Sequence, residues 1–271
     1  MDPARASTLP VLGFRHFDSE RVVHAVSTRA GGASQGPFTT LNLGIKVGDH
    51  APAVYENRAR FLGSLGLSLL ATVALTQVHG TRVVEATQAD GGRGVLPSVA
   101  PPEQADALIT GTPGLALLVL AADCVPLLLW DPEHGAVAAA HAGWRGSVAG
   151  MARRTVEAMG ERFGSRPEEL RAGIGPAIGG CCYEVDAPVL EPLRRDHPQL
   201  FDAVTTPSHK PGHRTLDLKA LNRLQLQAAG LRDEHIEVSP LCTACNVELL
   251  YSERRLGRPC GRFGAVIALR G

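Results

Sequence analysis

Short runs of hydrophobic residues, separated by glycine, proline and polar residues, recur along the whole chain. Runs of this length, bounded in this way, predict β-strands. The predicted strands cover residues 22–27, 73–78, 83–86, 115–121, 127–130, 136–141, 171–174, 236–238 and 265–269. Several of these runs are apolar at every position, which predicts strands that are buried on both faces.

Helical patterns are fewer and lie between the strands. Pro52 suits the first position of a helix that runs to about Ser64, and the stretch 147–163 predicts a second helix after a glycine-rich turn. Asp217 suits the N-cap of a third helix, which carries leucines on one face and ends near Gly230. Strands with helices between them indicate a layered α/β or α+β fold.

Nothing in the sequence divides the chain into parts. Its 271 residues are enough for a large core, and we find neither a repeat at a fixed period nor a low-complexity linker. The glycine- and proline-rich stretch 88–104 indicates a surface loop. We therefore predict a single domain over residues 1–271.

Composition and charge argue against several classes of function. Hydrophobic residues make up 44% of the chain and charged residues 20%, as in an ordinary globular protein. Lys plus Arg and Asp plus Glu both number 27, so no overall field attracts nucleic acid or an anionic membrane. We expect phosphate to be bound locally, by a few arginines and backbone amides.

The apolar segments also indicate where in the cell the protein resides. The first residues, MDPARASTLPVLGF, lack a charged start followed by a long apolar stretch, so we predict no export signal. The longest apolar run, 114–130, is interrupted by Asp123 and Pro126, which favours buried strands over a membrane helix. We expect a cytoplasmic protein whose six cysteines are reduced.

In three segments, an apolar run ends at a reactive side chain, and a glycine or proline follows soon after it. They contribute His79, the pair Asp123-Cys124, and His141. Two imidazoles and one thiolate suit zinc, and three protein ligands leave a fourth position open, as in catalytic sites. The alternative is structural, because strand-end histidines are often only hydrogen-bonded and buried cysteines often act as small hydrophobic residues.

The amino-acid sequences of these segments resemble those of a known family. The stretches TQVHG, AADCVPLLLWD, AAAHAGWRGSVAG, IGPAIGGCCYEV, LCT and YSERR resemble the polyphenol-oxidase-like, laccase-domain family of bacterial purine nucleoside phosphorylases, of the YfiH type. The stretches STRAGGASQGPF, LNLGIKVGDH and ENRARFL resemble it too, in the same order. The resemblance covers residues 22–269, nearly the whole chain.

The resemblance implies a single α+β domain of layered mixed sheets with flanking helices, a fold class that includes the deamidase domain of cytotoxic necrotizing factors. It implies that His79, Cys124 and His141 bind zinc. It also implies phosphorolysis of adenosine, inosine and guanosine, cleavage of methylthioadenosine, and deamination of adenosine. Older names for members imply copper and polyphenol oxidation instead, and some members are described as cell-wall precursor editing factors.

Further side chains are candidates for binding substrate. Arg145, just before a predicted helix, and Arg29, in a glycine-containing loop, are candidates for phosphate, although either is equally consistent with a solvated charge. Asn42 and Gln77 are candidates for hydrogen bonds to sugar or base. Alternation along a strand predicts that Asp123 points away from Cys124, which favours a supporting role over that of general base.

The remaining cysteines allow a second site. Cys242-x-x-Cys245, with Cys260 and the pair Cys181-Cys182, suits a structural zinc site or a redox pair. A lone CxxC is a weak signal, and we expect ordinary thiols of the core or surface. The preceding His235-Ile-Glu237 resembles a nucleobase deaminase signature only superficially, because Leu241 separates Pro240 from Cys242.

Rival functions use the same residues. A cysteine hydrolase or deamidase would use Cys124 as the nucleophile and His141 as the base, without metal. A copper polyphenol oxidase would bind copper at the trio, but multi-copper oxidation needs many paired histidines. A non-catalytic binding or editing module is the third rival. We expect purine nucleosides and phosphate as partners, and either a monomer or a small homo-oligomer.

Overall fold

The structure is a computed structural model that describes residues 9–271. Residues 1–8, which carry most of the stretch in which we predict no export signal, lie outside the described residues. Within residues 9–271, no helix has the length and apolar character needed to cross a bilayer.

The regular elements have the following bounds. The strands are β1 (Val11–Leu12), β2 (Val22–Ser27), β3 (Thr72–Ala74), β4 (Val83–Glu85), β5 (Ala107–Thr110), β6 (Ala116–Ala121), β7 (Val125–Asp131), β8 (Ala136–Ala142), β9 (Arg171–Ile174), β10 (Glu184–Val185), β11 (Thr205–Pro207), β12 (Arg214–Leu216), β13 (Ile236–Val238) and β14 (Phe263–Leu269). The α-helices are α1 (Ala51–Ser64), α2 (Trp144–Val148), α3 (Met151–Phe163), α4 (Ala187–Asp196), α5 (Phe201–Val204), α6 (Leu218–Ala228) and α7 (Glu253–Leu256).

Two large sheets and one small sheet organise these elements. The first sheet has the order β1-β2-β14-β6-β3, and the second has the order β13-β9-β7-β8-β5-β4. Pairing is antiparallel except at β3–β6, β13–β9 and β4–β5, which are parallel. The small sheet has the order β10-β12-β11. The sheets are therefore mixed, as the resemblance implies.

The two large sheets pack face to face between helices. Alternate side chains of β7 point in opposite directions. Leu128 and Trp130 lie in the core between the sheets, whereas Leu127 and Leu129 lie in a second core against α3, α4 and α6. On the outer face of the first sheet, Leu118 packs in a third core with residues of α1. The layers follow as helix, sheet, sheet, helices, and the prediction of a layered α+β fold is confirmed.

Some predicted elements are wrong in extent. The helix expected over 147–163 is two helices, because Gly150 takes a left-handed backbone (φ +85°) between α2 and α3. The strand expected over 73–78 ends at Ala74, beyond which Thr76 forms only an isolated bridge with Gln104. The sequence prediction missed β1, β5, β10, β11, β12, α4, α5 and α7, most of which are short.

Candidate metal site

The structure brings together the three predicted ligands. His79 follows β3 of the first sheet, Cys124 lies in the turn from β6 to β7, and His141 lies near the end of β8. Because β6 and β7 belong to different sheets, this turn crosses from one sheet to the other. One ligand atom from each of the three residues lies within 4.8 Å of the other two. The imidazole rings meet edge to face, with their centroids 4.9 Å apart.

Asp106, immediately before β5, holds two of the three ligands in place through hydrogen bonds. Its buried carboxylate accepts hydrogen bonds from the backbone N–H groups of His79 (2.9 Å) and Gly80 (2.7 Å). It also accepts a hydrogen bond of 2.9 Å from Nδ1 of His141. The second ring nitrogen of His141, Nε2, is therefore the one left for a metal, and a carboxylate behind a ligating imidazole is typical of metal sites.

Local backbone conformation also shapes the site. His79 and Asp123 both have a left-handed backbone, with φ values of +62° and +84°, which residues other than glycine rarely adopt. Such conformations concentrate at functional sites. Gly143 leaves room for the ligands, because a Cβ atom there would lie 2.6 Å from Cδ2 of His79 and 3.2 Å from Sγ of Cys124.

The charges of Cys124 and His141 stabilise each other. Burial opposes ionisation of the Cys124 thiol, but the charge and hydrogen bonds of His141 and His79 outweigh it and lower its pKa to about 6. Burial likewise disfavours charged His141, but the Cys124 thiolate and Asp106 outweigh it and raise its pKa to about 9. Without metal, the pair is therefore a thiolate and an imidazolium at neutral pH.

A cavity of about 640 Å³ opens beside the trio, and its charge is mainly positive. Its cationic lining residues are Lys46, Arg58, Arg254, Arg258 and Arg262, and its acidic ones are Asp123 and Glu253. Glu253 is paired with Arg258 and Arg262. Arg58 is buried and donates to backbone carbonyl groups in the wall. Apart from the buried Arg58, Lys46 and Arg254 are the lining cations that have no carboxylate partner among residues 9–271, and Arg254 also donates to the carbonyl of Glu184 at 2.9 Å.

Two predicted substrate residues have their polar atoms engaged within the protein. Gln77 lines the cavity, but its side-chain amide donates to the carbonyl of Leu120 and accepts from the N–H of the same residue, both at 2.8 Å. Asn42 is fully buried; its amide group bonds to Asp49, and its carbonyl oxygen accepts from the backbone N–H of Arg262. Both side chains support the wall of the site.

The two predicted phosphate-binding arginines are not among the cavity-lining residues. Arg29 stacks on the ring of Tyr251, 4.7 Å from its centroid, and donates to the carbonyl groups of Thr39 (2.8 Å) and Val247 (2.6 Å). Arg145 is exposed, and its guanidinium stacks on Trp144 at 4.3 Å. The charge of Arg145 nevertheless reaches Tyr183, which lines the cavity, so a role for either arginine in binding phosphate stays a prediction.

Asp123 lies in a turn and not in a strand. The prediction that its side chain points away from Cys124 assumed strand alternation, and that assumption is wrong. Strand β6 ends at Ala121 and β7 begins at Val125, which leaves Asp123 and Cys124 between them. Oδ1 of Asp123 accepts a hydrogen bond of 2.5 Å from Thr243, and Oδ2 accepts one of 2.7 Å from the backbone N–H of Arg254. These bonds agree with a supporting role, which stays a prediction.

Sequence reasoning missed four residues of the site. Lys46 and Arg254 lie in LNLGIKVGDH and YSERR, two of the segments that carry the family resemblance, but nothing in the local pattern marks them as cavity residues. Tyr183 follows the cysteine pair and also lines the cavity. Asp106 precedes β5, which was not predicted; an acid directly before a short apolar run was the available signal.

Comparisons with known proteins agree with this architecture. The family model of the multi-copper polyphenol oxidoreductase laccases matches residues 23–270. A protein of Geobacillus stearothermophilus named purine nucleoside phosphorylase YlmD is 40% identical over 250 residues, which cover 92% of this chain and 90% of that protein. A protein of Deinococcus radiodurans named purine nucleoside phosphorylase is 41% identical over 263 residues, covering 97% of this chain and 95% of that protein.

Solved structures give the same result. The crystal structure of YlmD from Geobacillus stearothermophilus superposes with a TM-score of 0.89 at 39% identity, covering 96% of this chain and 95% of that one. The Bacillus licheniformis protein YfiH also superposes with a TM-score of 0.89, at 38% identity, covering 92% of this chain and 93% of that one. The chain therefore belongs to the multi-copper polyphenol oxidoreductase laccase family, which its sequence motifs resemble.

Proposed function

We propose that the chain is a zinc-dependent purine nucleoside phosphorylase. The observation that carries the proposal is the trio of His79, Cys124 and His141, which opens into a cavity lined by more cations than acids. The names of the relatives from Geobacillus stearothermophilus and Deinococcus radiodurans support the same activity. The cavity volume of about 640 Å³ lies within the range typical of small-molecule sites.

The donor set fits zinc. Two imidazole nitrogens and a thiolate are ligands that zinc prefers, and Asp106 already fixes the tautomer of His141. When bound by three protein ligands, zinc supplies Lewis acidity at an open coordination position. The same donors accept copper, which makes copper the alternative metal.

Phosphorolysis forms a bond from a phosphate oxygen to C1′ of the ribose and breaks the bond from C1′ to N9 of the base. The base leaves with the electron pair and takes up a proton. We assign Lys46 and Arg254 to hold the phosphate by charge-assisted hydrogen bonds. Burial, with the nearby Cys124, raises the pKa of Tyr183 to about 12, so its hydroxyl stays neutral and can donate a hydrogen bond in the cavity.

An apolar wall suits the purine ring. Leu75, Leu120 and Ile178 line the cavity together with Tyr183. Apolar side chains can pack against a base without selecting among purines, because they make no hydrogen bonds to its edge. We therefore include adenosine, inosine, guanosine and methylthioadenosine as substrates. We also include deamination of adenosine, in which water adds at C6 and ammonia leaves.

A cysteine hydrolase is the second candidate, and one observation favours it. Cys124, His141 and Asp106 form a chain of thiolate, imidazole and carboxylate, which is the arrangement of an activated nucleophile. In that mechanism the thiolate attacks a carbonyl carbon and His141 returns a proton to the leaving group. The two candidates differ in whether the thiolate is free or bound to metal.

Oxidation of phenols by several copper ions is less well supported. Within residues 9–271, the groups of three or more suitable ligands are the trio and a cluster of four cysteines. Neither offers the paired histidines that multi-copper oxidation requires. Any copper at the trio would therefore be a single ion.

Metal analysis combined with nucleoside assays tests the proposal. The native chain should contain zinc and convert inosine to hypoxanthine and ribose 1-phosphate only when phosphate is present. Adenosine without phosphate should yield inosine and ammonia. Cys124→Ala should lose the zinc of the trio and turnover together, and Cys260→Ala is the matched control because Cys260 is buried away from the trio.

Two outcomes would overturn the proposal. The first is native turnover of nucleosides by Cys124→Ala. The second is rapid alkylation of Cys124 in the untreated native chain, with no protection that a chelator removes, because a metal-bound thiolate reacts slowly. The second outcome would favour the cysteine hydrolase.

A further inference from the structure

We propose that Cys181, Cys182, Cys242 and Cys245 form a second metal site, which binds one structural zinc ion through four thiolates. From the sequence alone we expected ordinary thiols there, with a structural zinc site or a redox pair as the alternative. The fold brings the pair that follows β9 against the CxxC segment that follows β13. One sulfur atom from each residue lies within 4.8 Å of the others.

The distances between sulfur atoms suit a single ion. Sγ of Cys245 lies 3.3 Å from Sγ of Cys182 and 3.7 Å from Sγ of Cys181. In a tetrahedral site with zinc–sulfur bonds of about 2.3 Å, the sulfur atoms lie roughly 3.8 Å apart. The cluster already has nearly this size. Four thiolates that leave no open position are typical of structural zinc sites.

The backbone around the cluster favours thiolates. The N–H of Gly179 points at Sγ of Cys242 at 3.2 Å. Glycine suits this approach, because a Cβ atom at position 179 would make tight contacts of 3.2 Å with both Sγ of Cys181 and Cβ of Cys242. Hydrogen bonds from backbone N–H groups to ligand sulfur support metal–thiolate sites by stabilising the negative charge.

A buried lysine adds positive charge close to the cluster. Lys219 is only 7% exposed, and its Nζ donates to the carbonyl groups of Ser239 (2.7 Å) and Leu241 (3.0 Å). These carbonyls belong to the segment that leads into Cys242. The ammonium therefore anchors the CxxC segment and partly offsets the negative charge that four thiolates and one zinc ion leave.

The position of the cluster suggests what a bound ion would stabilise, namely the segments that hold Asp123 in place. Two segments beside the cluster hold Asp123, which lines the cavity. Ile178 donates its N–H to the carbonyl of Asp123 at 2.9 Å, and Thr243 donates its hydroxyl to the carboxylate of the same residue. The segments of Ile178 and Thr243 are also joined, because the N–H of Thr243 donates to Ala177 at 3.0 Å. A zinc ion here would fasten both segments and so hold Asp123 beside Cys124.

The test separates the two metal sites by using the chain that lacks the first one. Cys124→Ala, purified under reducing conditions after growth with added zinc, should retain one zinc ion per chain by mass spectrometry of the metal. Replacing that zinc with cobalt should give intense thiolate-to-cobalt charge-transfer absorption. Adding Cys245→Ala should remove both the ion and the absorption, whereas adding Cys260→Ala, a buried cysteine outside the cluster, should leave them unchanged.

Alkylation of the native chain gives an independent readout that does not depend on how the variants fold. The four thiols should resist iodoacetamide and become reactive after treatment with a strong chelator. The proposal is overturned if Cys124→Ala contains no zinc, or if the native thiols react freely before chelation. Disulfides among these four cysteines in protein kept under reducing conditions would also overturn it, in favour of a redox pair.

Discussion

Asp106 joins two of the proposed metal ligands through a single oxygen atom. Its Oδ1 accepts the N–H of the His79 backbone and the Nδ1–H of the His141 ring, each at 2.9 Å. The first bond fixes the turn that carries one imidazole, and the second fixes the orientation of the other. One carboxylate that is not among the cavity-lining residues therefore links the segments of both sheets that contribute these histidines.

Replacing this carboxylate should weaken zinc binding. In Asp106→Asn the amide offers one acceptor oxygen where the carboxylate offers two. Its NH₂ group must face a backbone donor, either that of His79 or that of Gly80, because these two N–H groups bond to different oxygens of the native carboxylate. We expect zinc affinity to fall about 10- to 100-fold, the usual effect of losing a partner behind a metal-bound histidine. Competition with a chromophoric chelator measures the affinity.

Asp131→Asn is the matched control for this prediction. Asp131 is equally buried and accepts a hydrogen bond from Nδ1 of His134 at the same distance of 2.9 Å, but it is the last residue of β7, at the opposite end of that strand from Cys124. This variant should lose stability while keeping the zinc affinity of the native chain. Equal zinc affinities in the two variants would contradict the role we give to Asp106.

The pair of Cys124 and His141 predicts an unusual pH dependence for the metal-free chain. A lowered thiol pKa means that the reactive thiolate persists at lower pH and is lost only as the pH falls through the folded value. Alkylation of Cys124 by iodoacetamide should therefore rise with a midpoint near pH 6, where an ordinary thiol has a midpoint near 9. The rate at each pH is read from the labelled peptide.

Removing the partner charge should reverse this shift. His141→Ala lacks the imidazolium that stabilises the thiolate, so the midpoint for Cys124 should move upward, towards the ordinary thiol value. His134→Ala removes a histidine that is also paired with an aspartate, but far from the trio, and should leave the midpoint unchanged. A native midpoint close to 9 would refute the proposed thiolate–imidazolium pair.

The layers of the fold could be predicted because their signal is local. Leu127 and Leu128 face different cores, so an apolar run without alternation predicted a strand buried on both faces. The strand β5 was missed because its four residues follow a loop rich in proline, and Asp106 was missed with it. The break at Gly150 was missed because glycine is also tolerated inside helices.

The metal trio and the substrate residues also differ in how much of their role a local sequence pattern can predict. The family resemblance, not the spacing, joined His79 to Cys124 and His141 before the fold was known. Arg29 and Asn42 were candidates for binding substrate, but their partners, Val247 and the backbone of Arg262, lie about two hundred residues away in the sequence. A local pattern contains no information about such partners, so it cannot separate a structural guanidinium from one that binds substrate.

Lys46 should determine the affinity for phosphate. Its Nζ donates to the hydroxyl of Thr76 at 3.1 Å, and within residues 9–271 it forms no ion pair, so its charge remains available to an anion. Lys46→Met keeps the length of the side chain and removes the charge. We expect the KM for phosphate to rise about tenfold, which corresponds to ~1.4 kcal/mol, with little change in the KM for inosine.

Steady-state assays with phosphate varied at saturating inosine measure this effect. Lys210→Met makes the same substitution in an exposed loop outside the cavity and should leave both constants unchanged. An increase in the KM for inosine that matches the increase for phosphate would mean that Lys46 shapes the whole cavity. In that case Lys46 does not hold the anion selectively.

Gly143 gives the sharpest test of the site's geometry, because its backbone conformation (φ −67°, ψ 171°) suits alanine as well as glycine. Any effect of Gly143→Ala must then come mainly from the added methyl group, which would lie 2.6 Å from the His79 ring and 3.2 Å from Sγ of Cys124. Both ligands would have to move. We expect zinc affinity and turnover to fall at least about tenfold, with only a small loss of stability at this N-cap position.

Gly63→Ala is the control for adding a methyl group. Gly63 lies inside α1, and a Cβ atom there would meet nothing within 4 Å. Alanine should therefore raise the free energy of unfolding by about 0.5–1 kcal/mol, through its higher helix propensity, and leave zinc binding unchanged. If Gly143→Ala also bound zinc and turned over nucleosides like the native chain, the close contacts of position 143 with His79 and Cys124 would not control the geometry of the site, and the prediction would be wrong.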